Sequence, residues 1–130
     1  MNRMKFLAVV AIMLLSVSVS WAKRTGKDID VKTFKQKIAK KEIVLVDVRT
    51  AKEFAEGHIE GAMLVNFYGT NFERNITAIS KKTPIYVYCR SGNRSGKAMQ
   101  FLLKKGYKRV FNLVGGFKAW EEAKNGVVTE

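Results

Sequence analysis

Cys89 is the only cysteine in this 130-residue chain, and its neighbours favour a reactive thiol. It follows the apolar run Ile85–Tyr88, which is typical of a buried strand. Gly92 and Asn93 come next, and both tolerate the backbone angles of a tight loop. From Ser95 onward, apolar residues recur every three or four positions, which predicts a helix. The sequence therefore predicts a strand, a polar loop that begins with the cysteine, and a helix.

A loop that leads into a helix directs several backbone N–H groups toward one point, where they bind anions with the help of the helix dipole. The thiolate is the reactive form of cysteine, so such a loop should activate Cys89 as a nucleophile. We expect the thiol to be ionised and open to water; the alternative is an inert buried thiol. A lone cysteine cannot form a disulfide within the chain. The predicted substrate-binding residues are Arg90, Ser91, Gly92, Asn93, Arg94 and Ser95.

A second polar group follows the predicted strand 43–46 and is expected to support this loop. Asp47 could cap the next turn, and Arg49 could pair with Glu53. His58, the only histidine, is interpreted as structural, although a general base for Cys89 is an alternative. One cysteine and one histidine do not make a metal site, so we expect no metal.

The N-terminus predicts export. A short basic head precedes the apolar residues 6–19, and Ser20-Trp21-Ala22 offers small residues where a signal peptidase cuts. Residues 1–22 are therefore predicted to be a signal peptide, cleaved after Ala22 to release one domain, 23–130, into the periplasm or medium. An uncleaved anchor is the alternative, since residues 6–22 approach the length of a membrane span. After cleavage we expect no stable membrane association.

The formal net charge of +13 raises the question of nucleic-acid binding. The lysines, however, fall on the predicted helix 31–40 and at the end of the helix that follows Cys89, where solvated faces account for them. Export would also remove most access to nucleic acid. We therefore expect no nucleic-acid partner and a basic field that draws small anionic substrates toward the loop.

Predicted strands and helices alternate along the chain. After a mobile basic lead-in, 23–27, Asp30 can cap the helix 31–40. The remaining predicted elements are strands at 43–46, 63–65, 85–88 and 109–113, a helix at 71–80, the helix from Ser95 to Gly106, a helix around Trp120, and a polar tail from Asn125. This order predicts an α/β fold with a mainly parallel sheet covered by helices on both faces. Ligands bind at the carboxyl ends of such strands, where Cys89 falls.

Four motifs together resemble the rhodanese (thiosulfate sulfurtransferase) family in its exported single-domain form. They are Asp47-Val48-Arg49 with Glu53-Phe54, Gly57-His58-Ile59-Glu60-Gly61-Ala62, Cys89 through Ser95, and Gly115-Gly116 with Trp120. The resemblance implies a five-stranded parallel sheet, Cys89 as the sulfur-accepting nucleophile, and no cofactor. It also implies a six-residue active loop, Cys89 to Arg94. Cysteine phosphatases have a loop one residue longer, so the length here favours sulfur over phosphate.

The predicted activity is transfer of a sulfane sulfur from a small anionic donor such as thiosulfate to cyanide or a thiol, through a persulfide on Cys89. Two alternatives remain open. One is a sulfur-carrier or interaction module with little turnover. The other is a cysteine-dependent phosphatase or arsenate reductase, which would use the same thiolate.

Overall fold

The computed structural model describes residues 25–130, which form a five-stranded sheet with helices on both faces. The strands are β1 (Thr25–Ile29), β2 (Val44–Asp47), β3 (Met63–Leu64), β4 (Ile85–Tyr88) and β5 (Arg109–Leu113). The helices are α1 (Val31–Ile38), α2 (Ala51–Glu56), α3 (Phe72–Ile76), α4 (Asn93–Lys104) and α5 (Gly116–Glu122). The strand order is β1-β5-β4-β2-β3 and every pairing is parallel, which confirms the predicted fold class. The predicted signal peptide lies outside the described residues.

The sheet separates two hydrophobic cores because successive strand residues point to opposite faces. Ile85 and Val87 of β4 belong to the core under α3 and α4. Tyr86 and Tyr88 belong to the core under α1 and α5. All four residues of β4 are buried, so the strand that precedes Cys89 is fixed from both sides.

The first described residues contradict the predicted mobile lead-in. Thr25–Ile29 pairs along its whole length with β5 and supplies the fifth strand. Its polar residues suit a sheet edge, and Gly26 lies close to α4: a Cβ there would meet the Leu103 Cδ1 atom at 2.5 Å. An edge strand with so few apolar residues gives no periodic signal, which is why sequence patterning missed it.

Helix boundaries differ modestly from the predictions. The Asp30 side chain accepts a hydrogen bond from the Thr33 N–H, which confirms it as the cap of α1. The predicted helix 71–80 is shorter, Phe72–Ile76. Helix α4 begins at Asn93, two residues earlier than predicted, so its first turn is part of the cysteine loop. Within residues 25–130, none of the helices has the length and apolar character needed to cross a bilayer.

Candidate active site

Cys89 lies directly beyond the carboxyl end of the central strand β4. Four residues separate the strand from α4, and the turn closes at Gly92, whose φ of +102° suits glycine. A Cβ at this position would also approach the Leu113 carbonyl oxygen at 3.3 Å. The loop therefore curls back over the cysteine and delivers the first turn of α4 against it.

The Cys89 sulfur is surrounded by hydrogen-bond donors. It accepts the Gly92 N–H at 3.1 Å and the Ser95 hydroxyl at 3.2 Å. Burial is the largest single influence on the thiol and opposes ionisation. The Ser95 hydroxyl and the backbone N–H groups of Ser95, Gly92 and Ser91 outweigh it, so the pKa of Cys89 falls below its ordinary value. The predicted stabilised thiolate is thus supported by geometry.

The expectation of an open thiol is wrong for this conformation. Cys89 is only 1% exposed and packs in the core under α4. The same close approach of the loop that brings donors to the sulfur also closes water out. Ser91 and Asn93, by contrast, are exposed on the outside of the loop.

The start of α5 holds the other side of the loop. The Phe117 N–H donates to the Cys89 carbonyl at 2.7 Å, and the Lys118 N–H donates to the Arg90 carbonyl at 3.1 Å. Gly116 makes this contact possible: a Cβ there would lie 2.5 Å from the backbone of both Cys89 and Arg90. In the Gly115-Gly116 motif, Gly116 therefore permits the backbone contact that holds Cys89 in place.

Asn112 on β5 is a site residue that sequence reasoning missed. Its Nδ2 donates to the Gly92 carbonyl at 3.2 Å and to the Asp28 carboxylate at 2.9 Å. Asn112 is buried, and its Oδ1 atom has no hydrogen-bond partner. A polar residue inside an otherwise apolar strand was the available signal. The side chain connects the edge strand β1 to the turn whose N–H faces the sulfur.

Glu53 pairs with Arg94, whereas the sequence analysis expected it to pair with Arg49. The Arg94 Nη1 and Nη2 atoms lie 2.7 Å and 2.9 Å from the two carboxylate oxygens, a bidentate arrangement. Hydrogen bonds from Arg94 lower the pKa of Glu53 to about 2, against the effect of burial. Thr50 also caps α2 through Glu53. Arg94 is therefore a clamped ion-pair partner rather than a free cation.

Asp47 and Arg49 form a second, fully buried ion pair. The Arg49 Nη2 atom lies 2.7 Å from Asp47 Oδ2 and donates to the Gly57 carbonyl at 2.6 Å. Its guanidinium stacks 4.1 Å from the centre of the Phe117 ring. The Asp47 carboxylate also accepts the Arg49 backbone N–H. The Asp47 carboxylate thus holds the start of the loop that follows β2, and Thr50, rather than Asp47, caps α2. Through the contact with Phe117, the Asp47–Arg49 ion pair connects β2 to α5 beneath the site.

Arg90 is the arginine of the cysteine loop that lies outside the two ion pairs. Its side chain is exposed and takes part in neither ion pair found within residues 25–130. It borders a cavity of about 340 Å³ together with Glu53, Glu56, Lys118 and Glu121. The mouth of the site therefore carries charges of both signs.

His58 has a packing role. It is buried, its ring stacks 3.6 Å from the Phe54 ring, and its Nδ1 atom lies 2.9 Å from the Phe54 carbonyl oxygen. Its backbone pairs with Val128, so the C-terminal residues are not simply a polar tail. No hydrogen bond of the described chain joins His58 to Cys89. Residues 25–130 also hold no cluster of three potential metal ligands among their His, Cys, Asp and Glu side chains.

Known proteins share both the sequence pattern and the fold. The family model described as rhodanese-like domain matches residues 30–123. A sulfurtransferase of Allochromatium vinosum is 38% identical over 94 residues, which cover 72% of this chain and 86% of the relative. A rhodanese-related protein from Thermoplasma volcanium superposes with a TM-score of 0.71 at 25% identity, covering 80% of this chain and 99% of that one. A rhodanese-like domain protein from Staphylococcus aureus gives 0.65 at 33% identity, covering 72% and 90% respectively.

Proposed function

The chain belongs to the rhodanese family, and we propose that it is a sulfurtransferase that carries sulfur as a persulfide on Cys89. The proposed donor is a small sulfane-sulfur anion such as thiosulfate, and the proposed acceptor is cyanide or a small thiol. The name of the Allochromatium relative supports transfer of sulfur as the general activity. The choice of donor and acceptor is our own proposal.

The arrangement of donors at the Cys89 sulfur carries this proposal. The Gly92 N–H and the Ser95 hydroxyl both point at the same sulfur atom, at 3.1 Å and 3.2 Å. Oriented dipoles of this kind stabilise a negative charge without reorganising during the reaction. They favour the thiolate before the reaction and the persulfide anion after it.

In the first proposed step, the Cys89 thiolate attacks the outer sulfur of thiosulfate. A new S–S bond forms, the S–S bond of the donor breaks, and sulfite leaves with the electron pair of that bond. In the second step, cyanide or a thiolate takes the outer sulfur as thiocyanate or a new persulfide, and the Cys89 thiolate is restored. Neither step needs an external oxidant or a proton donor. We propose that Arg90, which is exposed at the rim, attracts the anionic donor.

The burial of Cys89 sets a condition on the first step. Because the residue is 1% exposed, the donor reaches the sulfur only when the exposed side of the loop, Ser91 and Asn93, shifts. The second step is less restricted, since the outer sulfur of a persulfide lies about 2 Å beyond the cysteine sulfur. We therefore propose that loading, rather than unloading, limits turnover.

Loading of the protein tests the proposal directly. After incubation with thiosulfate and removal of excess donor, intact-mass measurement should show one added sulfur atom on the wild type and none on Cys89→Ser. Cyanide should then release that sulfur as thiocyanate. A wild-type protein that gains no sulfur from any member of a panel of sulfane donors, while Cys89 still alkylates, would refute the proposal.

The remaining alternatives predict different outcomes of the same assay. A sulfur-carrier module would load stoichiometrically but turn over slowly, because its acceptor is a partner protein. A phosphatase would hydrolyse an aryl phosphate; the six-residue loop, with its turn closed over the sulfur at Gly92, argues against the wider phosphate-binding bowl. We also propose export to the periplasm or medium, which N-terminal sequencing of the secreted protein would test.

A further inference from the structure

Cys89 lies at the carboxyl ends of the strands. The opposite end of the domain, at the amino ends of the strands, carries a dense group of cations, which we call the basic edge. It consists of Lys37, Lys40, Lys41, Lys81, Lys82, Lys104, Lys105 and Arg109, all of them exposed. They lie together because the strands are parallel: the ends of α1 and α4, the connection after α3, and the start of β5 all meet at the amino ends of the strands. Sequence reasoning treated the lysines of the first helix and those at the end of the helix after Cys89 as separate solvated faces. The topology places them on one surface.

Negative charge is sparse at the basic edge. Glu42 is the single acidic residue in the connections 39–43, 77–84 and 105–108, and Glu73 lies near Lys105 on an adjoining groove. Neither of the two ion pairs within residues 25–130 involves a residue of the basic edge. Within the described residues, this surface therefore carries a strong excess of positive charge.

The basic edge also contains an aromatic groove. A cavity of about 930 Å³ is rimmed by cations and has the rings of Tyr86 and Phe111, stacked 4.8 Å apart, in its wall. The Arg109 guanidinium is held in place by a hydrogen bond to the Lys82 carbonyl, at 2.6 Å. Lysine and arginine side chains lie along apolar surface while their charged ends stay in water, which suits the head-group region of a bilayer.

The chain itself points to what this surface faces. Thr25 pairs with Arg109, so β1 begins at the basic edge. Only residues 23 and 24 separate it from the apolar sequence 6–22, a distance of at most roughly 11 Å. This maximum chain length is comparable to the Debye length, which is about 10 Å at 0.1 M salt. A membrane that holds residues 6–22, even transiently, therefore lies within the electrostatic range of the basic edge.

We propose that the basic edge is a docking surface for anionic phospholipid head groups. The contact is electrostatic and salt-reversible, unlike the stable anchoring that the sequence analysis does not expect. Because Cys89 lies at the opposite ends of the same strands, a domain docked in this way presents its catalytic loop to water. The proposal does not depend on the sulfurtransferase activity.

The domain 23–130, without residues 1–22, is suitable for a test of vesicle binding. It contains the whole sheet and both cores, and the Thermoplasma chain, 99% of which matches this domain, folds without further sequence. The measurement is co-sedimentation with phosphatidylcholine vesicles, with and without about one third phosphatidylglycerol. At about 50 mM NaCl we expect the bound fraction to rise at least about five-fold with phosphatidylglycerol, and the increase to vanish at about 500 mM.

Two charge-matched variants locate the contact. Lys40→Gln/Lys41→Gln/Lys82→Gln removes three cations from the basic edge and should abolish most of the binding. Lys32→Gln/Lys52→Gln/Lys97→Gln removes three exposed lysines from the N-terminal halves of α1, α2 and α4, at the opposite ends of the strands, and should leave the binding near wild type. Circular dichroism and thermal unfolding check that both variants fold. Equal losses in the two variants, or no effect of phosphatidylglycerol, would overturn the proposal. So would tight binding of RNA or polyglutamate without vesicle binding, which would assign the surface to a soluble polyanion.

Discussion

Replacing Ser95 by alanine should raise the pKa of Cys89. The Ser95 hydroxyl donates to the sulfur at 3.2 Å and is fully buried, so no water replaces it in the variant. A hydrogen bond to a charged group contributes about 1.5–3 kcal/mol, and one pKa unit corresponds to about 1.4 kcal/mol. We therefore expect the pKa to rise by about 1–2 units. Alanine is smaller than serine and suits a helix, so the fold should be preserved.

The assay is the rate of iodoacetamide alkylation as a function of pH, followed by mass spectrometry. Since Cys89 is the only cysteine, the titration reports on one group. Ser91→Ala is the matched control: Ser91 lies in the same loop, its side chain is exposed, and only its backbone N–H acts on the sulfur. Its variant should titrate like the wild type. A wild-type pKa at or above the ordinary value of about 8.5, or equal values in the wild type and Ser95→Ala, would contradict the reasoning.

Three further predictions follow from other contacts of the loop. Gly116→Ala should lower the free energy of unfolding by at least about 2 kcal/mol in urea titrations, because its Cβ meets loop backbone at 2.5 Å; Gly126→Ala, with open space around it, should be neutral. Glu53→Gln should lower the free energy of unfolding by roughly 1 kcal/mol at pH 7, because solvent screens this partly exposed ion pair. Because the folded pKa of Glu53 is lowered from 4.5 to about 2, its contribution is complete above pH 4.5 and disappears as the pH falls toward 2, so wild type and variant should unfold alike near pH 2. Asn112→Ala should slow sulfur loading more than ten-fold while costing about 1–3 kcal/mol of stability, measured by intact mass and thermal unfolding; unchanged loading would show that the tether to the turn is dispensable.

The paired charges show where sequence reasoning failed. Arg49 and Glu53 are separated by one helical turn, so their pairing looked plausible. In the structure, Arg49 turns back to Asp47, and Glu53 reaches Arg94 from a distant segment. Sequence spacing constrains partners only within an element. Which of several charges meet across a sheet depends on how its strands are ordered.

The alternation of strands and helices, the position of Cys89 after a buried strand, and the glycine that turns the loop could all be predicted from the sequence. These features depend on local periodicity and backbone freedom, both of which are written in neighbouring residues. Four features became visible only in the folded chain. Strand β1 completes the sheet, Asn112 holds the loop, the thiol is closed from water, and lysines from separate segments form the basic edge. Those outcomes depend on which distant segments lie side by side, and contacts between segments leave no periodic pattern in either partner.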